Sequence, residues 1–475
     1  MSLSNRSMIT IEDFSNQEIE AVFSLADEMS DSTNEQSNIC QGKIMASLFF
    51  EPSTRTRLSF EAAMHRMGGN VISVMEAGST SLAKGESIAD MARVVGSYAD
   101  IIVIRHPWEG AAKVVADYAG IPVINAGDGA HEHPTQTLCD LYTIKKERKT
   151  LTGLKIALWG DLKYGRTVHS LAYALARFGA VIHFRCGSGL ELPEHVKRKL
   201  VTEYGGRLEK CDHLQGIDKE KFFPLDAIYI TPSSPHQLAN LPDVSIQIEL
   251  EKGIDAIYVT RLQRERLAQA AEEQGSENNY PVVDKKLLQE KEFKETLVMH
   301  PLPRIDELAH EIDADPRSMY FKQAARGVPI RMALIALLLG AKEVSIPEKD
   351  DAFTPKAVFE PYKESIGVEC PNPNCVSQQE KRCILPKFKR LKGKPLTLRC
   401  EYCEHEIHPQ YIASSKWHQG TLEQKRYYNI SSPVLERINP ENLIIFGSET
   451  AARDKGFKPA KMPERGNGDN EALPE

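Results

Sequence analysis

The sequence has no long apolar segment, and this absence limits where the protein can reside. Its longest uninterrupted apolar run, 332–339, is well short of the roughly 20 residues that cross a bilayer. The amino-terminal segment also lacks the basic, apolar and small-residue succession of a secretion signal. We therefore expect a cytosolic protein that has no membrane partner.

Positive charge is in deficit over the whole chain. The 475 residues carry a formal net charge of −7 at pH 7, so overall charge gives no reason to expect nucleic-acid binding. A dinucleotide fingerprint is missing as well. The segment 160–165 (GDLKYG) follows a predicted strand but lacks the G-x-G-x-x-G spacing that lets a backbone approach a pyrophosphate. We therefore expect no nicotinamide cofactor.

Cysteine is scarce outside one short stretch. The isolated cysteines, which we expect to be reduced thiols, are Cys40, Cys139, Cys186 and Cys211. The other five lie within 370–403, where two close pairs leave Cys383 over; the pairs are Cys370-x4-Cys375 and Cys400-x2-Cys403. Four thiolates in two close pairs suit a tetrahedral structural zinc ion, which a unit of about 45 residues needs for stability. Two disulfides would instead need an oxidising compartment.

Strand-like and helix-like segments alternate along most of the chain. Predicted strands at 43–50, 70–75, 100–104 and 122–125 alternate with helices, and a long helix at 134–149 precedes a second series. The strands of that second series are predicted at 154–159, 181–185, 227–230, 256–260 and 296–299. The alternation predicts the α/β class, with two doubly wound parallel-sheet domains.

A chain of this length should divide into about three units. We expect a first domain at 1–149, completed by a returning helix at about 314–340, and a second at 150–313 with an insertion at about 208–243. Residues 341–369 resemble a linker in composition. The expected remainder is a small β-rich zinc ribbon at 370–412 and an extension at 413–475, with a disordered tail from about 453.

One stretch joins the first predicted strand to the helix that follows it. The segment 51–57 (EPSTRTR) places hydroxyls and guanidiniums where a buried strand stops and a helix begins. Backbone N–H groups and the positive end of the helix would point at one spot, so the pattern predicts a phosphate-binding loop. The alternative is an ordinary helix cap followed by solvated arginines.

Polar residues also follow other predicted strands or begin the connecting helix. These motifs are 105–107 (RHP), 133–136 (HPTQ), 161–166 (DLKYGR), 261–263 (RLQ) and 300–304 (HPLPR). Each has an ordinary explanation when taken singly, such as a cap for His133, a surface cation for Arg105 or a turn for Gln263. Carboxyl ends of parallel strands meet at one edge, however, so these groups should converge. A mostly cationic cluster in a chain of negative net charge predicts a polyanionic substrate.

Six motifs together closely resemble the catalytic chains of the aspartate carbamoyltransferase family over about residues 5–340. They are 53–57 (STRTR), 105–107, 133–136, 166–169 (RTVH), 260–263 (TRLQ) and 300–304. The resemblance implies that the amine of L-aspartate attacks carbamoyl phosphate, giving N-carbamoyl-L-aspartate and phosphate, early in pyrimidine synthesis. It also implies that 1–149 binds carbamoyl phosphate and that 150–313 binds aspartate.

The resemblance implies a role for each motif. Carbamoyl phosphate would be bound by Ser53, Thr54, Arg55, Thr56, Ser81, Lys84, Arg105, His133, Gln136 and the backbone carbonyls of Pro301 and Leu302. Of these, Thr56, Arg105 and His133 would form the catalytic oxyanion hole. His133 would act as a hydrogen-bond donor, because the leaving phosphate can accept the amine proton. Aspartate would be bound by Lys84, Arg166, Arg261 and Gln263.

Two of these arginines favour aspartate as the acceptor. Arg166 and Arg261 can each clamp one carboxylate of a dicarboxylate in a bidentate fashion. The related ornithine carbamoyltransferases share a similar phosphate motif, but they accept a cationic side chain and typically carry a Cys where this chain has HPLP. A carbamoyltransferase for another amine acceptor, such as ornithine, is the nearest alternative.

Two further features bear on assembly and closure. The segment 79–86 resembles the family's mobile loop, which donates a Ser and a Lys to the neighbouring subunit's site, with Ser81 and Lys84 as the matching residues. A homo-oligomer with a trimeric catalytic core is therefore implied. Without the family, the loop is only a polar turn. Glu51 matches the residue that bridges the two domains on closure, where it faces Arg166 and Arg266.

The zinc cluster carries a second resemblance. Residues 370–375 (CPNPNC) and 399–403 (RCEYC) resemble the zinc domain of the family's regulatory chain, which docks on catalytic chains and links trimers. Zinc ribbons also bind nucleic acid, and a phosphate-tracking strip could be formed by Lys387, Lys389, Arg390, Lys392 and Lys394. The resemblance favours assembly, with trimers linked through the zinc domain and no nucleic-acid partner. The linker is too short for a nucleotide-effector domain, so we expect no large effector response.

The sequence as a whole predicts a carbamoyltransferase of the aspartate type with a fused zinc module that serves assembly. A rival of another class is a non-catalytic zinc-ribbon scaffold or nucleic-acid-binding protein on a carbamoyltransferase relic. The complete set of phosphate and oxyanion donors argues against the relic, because a relic has no physical reason to keep it.

Overall fold

The computed structural model describes residues 2–31, 37–75, 85–163, 165–186, 189–205, 207–210, 226–231, 254–261, 282–346, 359–418 and 425–460. The chain forms two compact units. The first comprises Met1–Pro107 and Ala111–Lys356, and the second comprises Trp108–Gly110 and Ala357–Glu475. Among the described helices, none is both long enough and apolar enough to cross a membrane.

The first unit begins with a four-stranded parallel sheet. Its strands are β1 (Ile44–Phe49), β2 (Asn70–Met75), β3 (Ile101–His106) and β4 (Val123–Asp128), in the order β2-β1-β3-β4. The helices of this layer are α1 (Asn16–Asp31), α2 (Thr54–Arg66), α3 (Ile88–Gly96), α4 (Ala111–Ala119) and α5 (Pro134–Arg148). β3 and β4 are fully buried, whereas the edge strand β2 is largely exposed. β3 is an inner strand, and helices on both faces of a parallel sheet produce such burial; β4 is the opposite edge strand, where Met8 forms a bridge with Ile124.

A second parallel sheet of six strands completes the first unit. It contains β5 (Lys155–Gly160), β6 (Val181–Arg185), β7 (Arg207–Lys210), β8 (Ala227–Thr231), β9 (Ala256–Val259) and β10 (Leu297–Met299), in the order β10-β9-β8-β5-β6-β7. Its helices are α6 (Arg166–Arg177) and α7 (Glu194–Arg198), and α8 (Tyr320–Leu338) then returns to pack against α1, α2 and α5. The strand order reverses direction at β5, which is the switch point where open α/β sheets bind ligands.

The predicted two-domain α/β class is confirmed, and every strand predicted in the two series is present. The returning helix predicted at 314–340 is α8. The proposed insertion at 208–243 is not a separate addition, because it includes β8, a central strand between β5 and β9. Much of the rest of that segment lies outside the described residues.

The second unit is rich in short strands. One antiparallel sheet, β11-β13-β14-β15, is formed by β11 (Phe359–Glu360), β13 (Phe388–Leu391), β14 (Thr397–Cys400) and β15 (Glu406–Ile407). A mixed sheet has the order β12-β18-β16-β17-β19, with β12 (Glu364–Ile366), β16 (Tyr411–Ser414), β17 (Arg426–Asn429), β18 (Leu443–Phe446) and β19 (Lys458–Pro459). Two short helices, α9 (Val376–Gln379) and α10 (Glu449–Asp454), accompany them.

The structure corrects the boundaries predicted around this unit. β11 and β12 lie within the expected linker 341–369. The expected extension 413–475 holds β17, β18, β19 and α10, with an apolar cluster of Ala413, Tyr427, Ile444, Phe446, Ala452 and Phe457. Order continues past 453, and residues 461–475 lie outside the described part. Strands of two to four residues are too short to show a period-2 pattern, and distant pairing partners define them.

Candidate active site and metal centre

The predicted phosphate loop lies at the start of α2. Ser53 occupies the N-cap position, yet its side chain makes no capping hydrogen bond, and Thr54 is the first helical residue. The alternative that Ser53 serves only as a helix cap is therefore weakened, because its hydroxyl makes no capping hydrogen bond. Backbone N–H groups of the first turn and the positive end of a 13-residue helix make the position suitable for an anion.

His133 occupies the equivalent position on α5. It is the N-cap residue, with Pro134 in the first turn, and its side chain makes no capping bond either. Its backbone N–H donates to Ser170 Oγ at 3.0 Å. Burial, and then the nearby charges of Arg105, Arg166 and Arg331, hold the pKa of the His133 imidazole well below its usual value. The ring is therefore neutral near pH 7 and keeps one N–H to donate.

These helix starts face a single cavity of about 540 Å³. Its described lining contains five arginines and one carboxylate: Arg55, Arg105, Arg166, Arg261, Arg331 and Glu51. The other lining residues that bear on binding are Ser53, Thr54, Thr56, His133, Gln136, Thr260, His300, Pro301, Leu302 and Gln323. Such an excess of positive charge in a partly enclosed space favours an anionic ligand.

Two cationic side chains in this lining, Arg55 and Arg261, repel each other electrostatically. Burial, and then the charge of Arg261, lower the pKa of Arg55 below its ordinary value. Two guanidiniums that destabilise each other's charge gain most when an anion binds between or beside them. The phosphate loop of the first sheet and the end of β9 in the second sheet therefore contribute to one electrostatic site.

Glu51 partly offsets this charge. Its carboxylate oxygens lie 3.1 and 3.3 Å from the two Nη atoms of Arg166 and 3.2 Å from Nη2 of Arg105. Gly127 (φ +117°) lies beside them, and a Cβ there would stand 3.3 Å from Arg166 Cζ and 3.5 Å from Arg105 Nη1. The backbone angle favours glycine, and a Cβ there would also be in tight contact with the Arg166 guanidinium. The two arginines are thus fixed by an acid on one side and by a close backbone on the other.

The loop after β10 is held by a buried pair. His300 Nε2 lies 2.8 Å from Glu307 Oε1, and both side chains are fully buried. Burial opposes ionisation of Glu307, but hydrogen bonds from His300 and the backbone prevail and lower its pKa. Because a carboxylate only accepts, Nε2 carries the proton and Nδ1 accepts the Leu302 N–H at 2.8 Å. This bond holds Leu302 at φ +52°, a conformation that non-glycine residues avoid.

The structure brings most of the predicted site residues to the cavity and leaves four undetermined. Members of all the described motifs line it: Glu51, Ser53, Thr54, Arg55, Thr56, Arg105, His133, Gln136, Arg166, Arg261, Pro301 and Leu302. Ser81, Lys84, Gln263 and Arg266 lie outside the described residues. The pairing of Glu51 with Arg166 is present, and its predicted second partner is among those four.

Sequence reasoning missed several residues at or beside the cavity, among them Gln323, which lines it from α8. Arg331 lines it from α8, where the only signal was a lone cation inside an apolar run. Glu307 supports the His300 loop four residues after the HPLP motif. Asp140 lies one turn beyond Gln136 and is fully buried. A charged residue in a segment that is otherwise buried could have indicated Arg331 and Asp140, whereas Glu307 lies among largely exposed neighbours and had no such signal.

The four predicted metal ligands converge in the second unit. The sulfur atoms of Cys370, Cys375, Cys400 and Cys403 all lie within 4.8 Å of one another, and all four residues are buried. Cys370 Sγ is 3.4 Å from Cys403 Sγ, and Cys375 Sγ is 3.8 Å from Cys400 Sγ. Sulfur atoms bound tetrahedrally at about 2.3 Å would be about 3.8 Å apart, so the donor set fits a zinc-sized thiophilic ion. Cys383 is exposed and outside the group.

The basic run beside this centre is largely paired with acids. Lys389 Nζ lies 3.9 Å from Glu401, Arg390 Nη2 lies 2.8 Å from Glu360, and Lys394 contacts Glu436. Charges that are already offset within their own unit gain less from a phosphate backbone. This arrangement weakens the nucleic-acid alternative.

Comparison with known proteins agrees with this geometry. Residues 6–146 match the carbamoyl-P binding domain of aspartate/ornithine carbamoyltransferases, and residues 242–338 match the Asp/Orn binding domain. Residues 364–413 match the metal binding domain of the aspartate carbamoyltransferase regulatory chain. That match begins at β12, in agreement with the corrected boundary.

Individual relatives and structures support the same assignment. The aspartate carbamoyltransferase catalytic subunit of Thermococcus onnurineus is 44% identical over 346 residues, covering 72% of this chain and 100% of the relative. Aspartate transcarbamoylase from Trypanosoma cruzi in complex with carbamoyl aspartate and phosphate is 36% identical, with TM-score 0.56, covering 71% of this chain and 96% of that one.

The catalytic subunit of the M. jannaschii aspartate transcarbamoylase is 39% identical, with TM-score 0.56, and covers 72% of this chain and 100% of its own. The predicted resemblance is therefore confirmed for both parts of the sequence. The chain belongs to the aspartate/ornithine carbamoyltransferase family, and it carries in the same polypeptide a metal-binding domain of the aspartate carbamoyltransferase regulatory type.

Proposed function

We propose that this protein transfers the carbamoyl group of carbamoyl phosphate to the amine of L-aspartate, as a step of pyrimidine biosynthesis. The observation that carries the proposal is the cavity in which five arginines and two helix N-cap residues face one carboxylate. Relatives of the same length as the matched part carry the corresponding name, and the Trypanosoma cruzi neighbour holds carbamoyl aspartate with phosphate.

The phosphate end binds at the start of α2. Ser53, Thr54 and Thr56 supply hydroxyl and backbone donors, and Arg55 supplies a charge-assisted donor. The amine lone pair of aspartate attacks the carbonyl carbon, and the tetrahedral intermediate then expels phosphate by breaking the bond between that carbon and the bridging oxygen. The departing phosphate accepts the amine proton, so no dedicated protein base is required.

Charge that develops on the carbonyl oxygen is stabilised by Thr56, Arg105 and His133. A neutral His133 suits this role, because it donates a hydrogen bond and does not compete for the amine proton. Gln136 and the backbone carbonyls of Pro301 and Leu302 bind the carbamoyl amino group. Fixing both reactants in one cavity lowers the barrier by replacing a bimolecular encounter with an oriented one.

Aspartate is the acceptor that the cavity favours. Arg166 and Arg261 each offer a guanidinium to one carboxylate, with Gln263 and Lys84 as further ligands. An ornithine side chain would place an ammonium among the same arginines. The described cavity offers it only Glu51, which already pairs with two of them.

The metal centre and the exposed apolar residues support an oligomer. We assign structural zinc to the four cysteines and propose that this domain links catalytic trimers. Leu58, Ile72 and Met75, on α2 and β2, are 50%, 41% and 55% exposed, which suits a surface covered by a second chain that brings Ser81 and Lys84 to the site. Zinc thiolates and separate free cysteines fit a cytosolic location.

An assay with carbamoyl phosphate and either aspartate or ornithine tests the function directly. We expect carbamoylated product with aspartate and little with ornithine. Turnover with ornithine alone would overturn the acceptor assignment, and no turnover with either amine would overturn the proposed reaction.

A further inference from the structure

Asp140 is a fully buried carboxylate next to the carbamoyl end of the cavity. It lies on α5, four residues after Gln136, and three donors surround it. Gln136 Nε2 and Gln323 Nε2 each donate to Oδ1 at 2.8 Å, and the Tyr258 hydroxyl lies 3.2 and 3.1 Å from the two oxygens. Asp140 does not line the cavity, but both glutamines do.

An ionised carboxylate can only accept hydrogen bonds, and this fixes the orientation of Gln136. The amide has one donor end and one acceptor end. With Nε2 turned toward Asp140, Oε1 is the end left for the cavity. The amino group of a carbamoyl ligand needs hydrogen-bond acceptors, so this orientation of Gln136 matches it. A reversed amide would place its own N–H donors against the N–H donors of the ligand.

Gln323 repeats the arrangement on the other side. Its Nε2 donates to Asp140, and its Oε1 accepts the backbone N–H of His300 at 3.0 Å. His300 begins the loop that presents the carbonyls of Pro301 and Leu302. Asp140 therefore helps to position both sets of acceptors for the carbamoyl amino group: Gln136 Oε1 directly, and the carbonyls of Pro301 and Leu302 through Gln323 and His300.

We propose that Asp140 is a positioning residue that sets the polarity of the carbamoyl end of the cavity, so that an acyl phosphate bearing an amino group is selected over one bearing a methyl group. The inference rests on the function proposed for the cavity. A site built to accept N–H bonds discriminates strongly against an analogue that lacks them, because its acceptors are left unpaired.

The surroundings of Asp140 also move its titration into the neutral pH range. Burial raises its pKa to about 7, and the bonds from Gln136, Gln323 and Tyr258 oppose that rise. The titratable and charged groups that face it are Tyr258 on β9, Tyr229 on β8, Cys139 on α5 and Arg331 on α8. A protonated Asp140 can donate to an amide oxygen, which removes the constraint on Gln136.

The test measures calorimetric binding of carbamoyl phosphate, acetyl phosphate and inorganic phosphate to the full-length protein. At pH 8, Asp140→Asn should lower the affinity for carbamoyl phosphate about tenfold. The affinities for acetyl phosphate and inorganic phosphate should stay within about twofold of the parent values, because only the carbamoyl amino group loses its acceptors. The loss should be smaller when Gln136→Ala is already present. In the parent, the preference for carbamoyl over acetyl phosphate should fall as pH drops from 8 to 6; this ratio cancels ionisation of the phosphate itself.

Equal weakening of all three ligands would indicate a general structural role and overturn the proposal, as would unchanged carbamoyl phosphate binding. If Asp140→Asn does not fold, the parent's pH series decides, and a constant ratio overturns the proposal. A parent that binds carbamoyl phosphate selectively but does not carbamoylate aspartate would sink the proposed function and leave this inference standing. A parent that binds no carbamoyl phosphate would overturn both.

Discussion

Glu51 and Arg166 form a two-pronged ion pair, with Oε2 3.1 Å from Nη1 and Oε1 3.3 Å from Nη2. Glu51 follows β1 of the first sheet, and Arg166 begins α6 of the second, so this pair connects the two halves of the first unit at the cavity. The same carboxylate also reaches Arg105. One acid therefore orients a proposed oxyanion donor and a proposed aspartate ligand together.

Removing the charge of Glu51 should impair both aspartate binding and the chemical step. We expect Glu51→Gln to raise the KM for aspartate and to lower kcat about 10²-fold, since misplaced catalytic groups have effects of that order. Steady-state kinetics with both substrates varied would measure it. Glu20→Gln, which breaks a surface pair with Lys145, is the matched control and should behave like the parent. Parent-like kinetics for Glu51→Gln would show that the arginines hold themselves in place.

The space beside the two arginines can be tested at Gly127. Gly127→Ala should lower activity more than stability, because its Cβ would crowd the Arg166 guanidinium, while the positive φ costs about 1–3 kcal/mol. Gly393→Ala, in the second unit, has a closely similar backbone angle, φ +121°, and no described atom lies within 4 Å of the new methyl group. Chemical denaturation and kcat of the two variants separate the effects. Equal loss of activity in both would mean that backbone strain, and not displacement, is responsible.

The phosphate loop contains two arginines that the structure distinguishes. Arg55 lines the cavity, whereas Arg57 lies 3.9 Å from Glu61 on its own helix and is not part of the described lining. Arg55→Ala should lower turnover about 10²- to 10³-fold while the fold stays intact, because it removes a charge-assisted donor and little packing. Arg57→Ala should lose much less. If Arg55→Ala kept activity within a few-fold of the parent, the phosphate subsite would not lie at the start of α2 as proposed.

Asp140 makes a prediction about stability that is independent of binding. Its folded pKa, raised to about 7 by burial, exceeds the unfolded value of about 3.9, so the stability it contributes is present at low pH and is lost as pH rises through 7. Asp140→Asn should therefore become more stable relative to the parent between pH 5 and pH 8. Melting temperatures at the two pH values would show the change.

Asp27 provides the comparison for that experiment. Burial opposes its ionisation, but Lys146 and Tyr142 outweigh burial and lower its pKa, so it is ionised at both pH values. Asp27→Asn should then show the same stability difference at pH 5 and pH 8. A constant difference for Asp140→Asn as well would mean that Asp140 does not titrate in this range.

Metal loss should affect the second unit and the assembly. Cys403→Ser should lower bound zinc and destabilise the short strands around the cluster, because ion binding supplies much of the folding free energy of such small units. Light scattering should then report smaller species, including trimers. Cys383→Ser, at an exposed cysteine outside the cluster, should keep both zinc and mass. An unchanged mass after verified loss of zinc would exclude the proposed linking role.

The sequence determined the α/β architecture, because apolar segments of strand length alternating with amphipathic helices allow few other arrangements. It also indicated the phosphate loop and the four cysteines. Those predictions depend on neighbours in the chain: a strand end, a helix start and two close Cys pairs are local features that tertiary structure then brings together.

Only the tertiary structure decided which distant groups share a contact. The pairing of Glu51 with Arg105, the cation of Arg331 in the cavity and the bonds of Asp140 to Tyr258 and Gln323 join segments far apart in the chain. The short strands of the second unit outside the predicted β-rich ribbon 370–412 were missed for the same reason, since each is defined by partners across a sheet. Local pattern indicates what a segment can form, whereas burial and distant hydrogen bonds decide which polar side chain meets which.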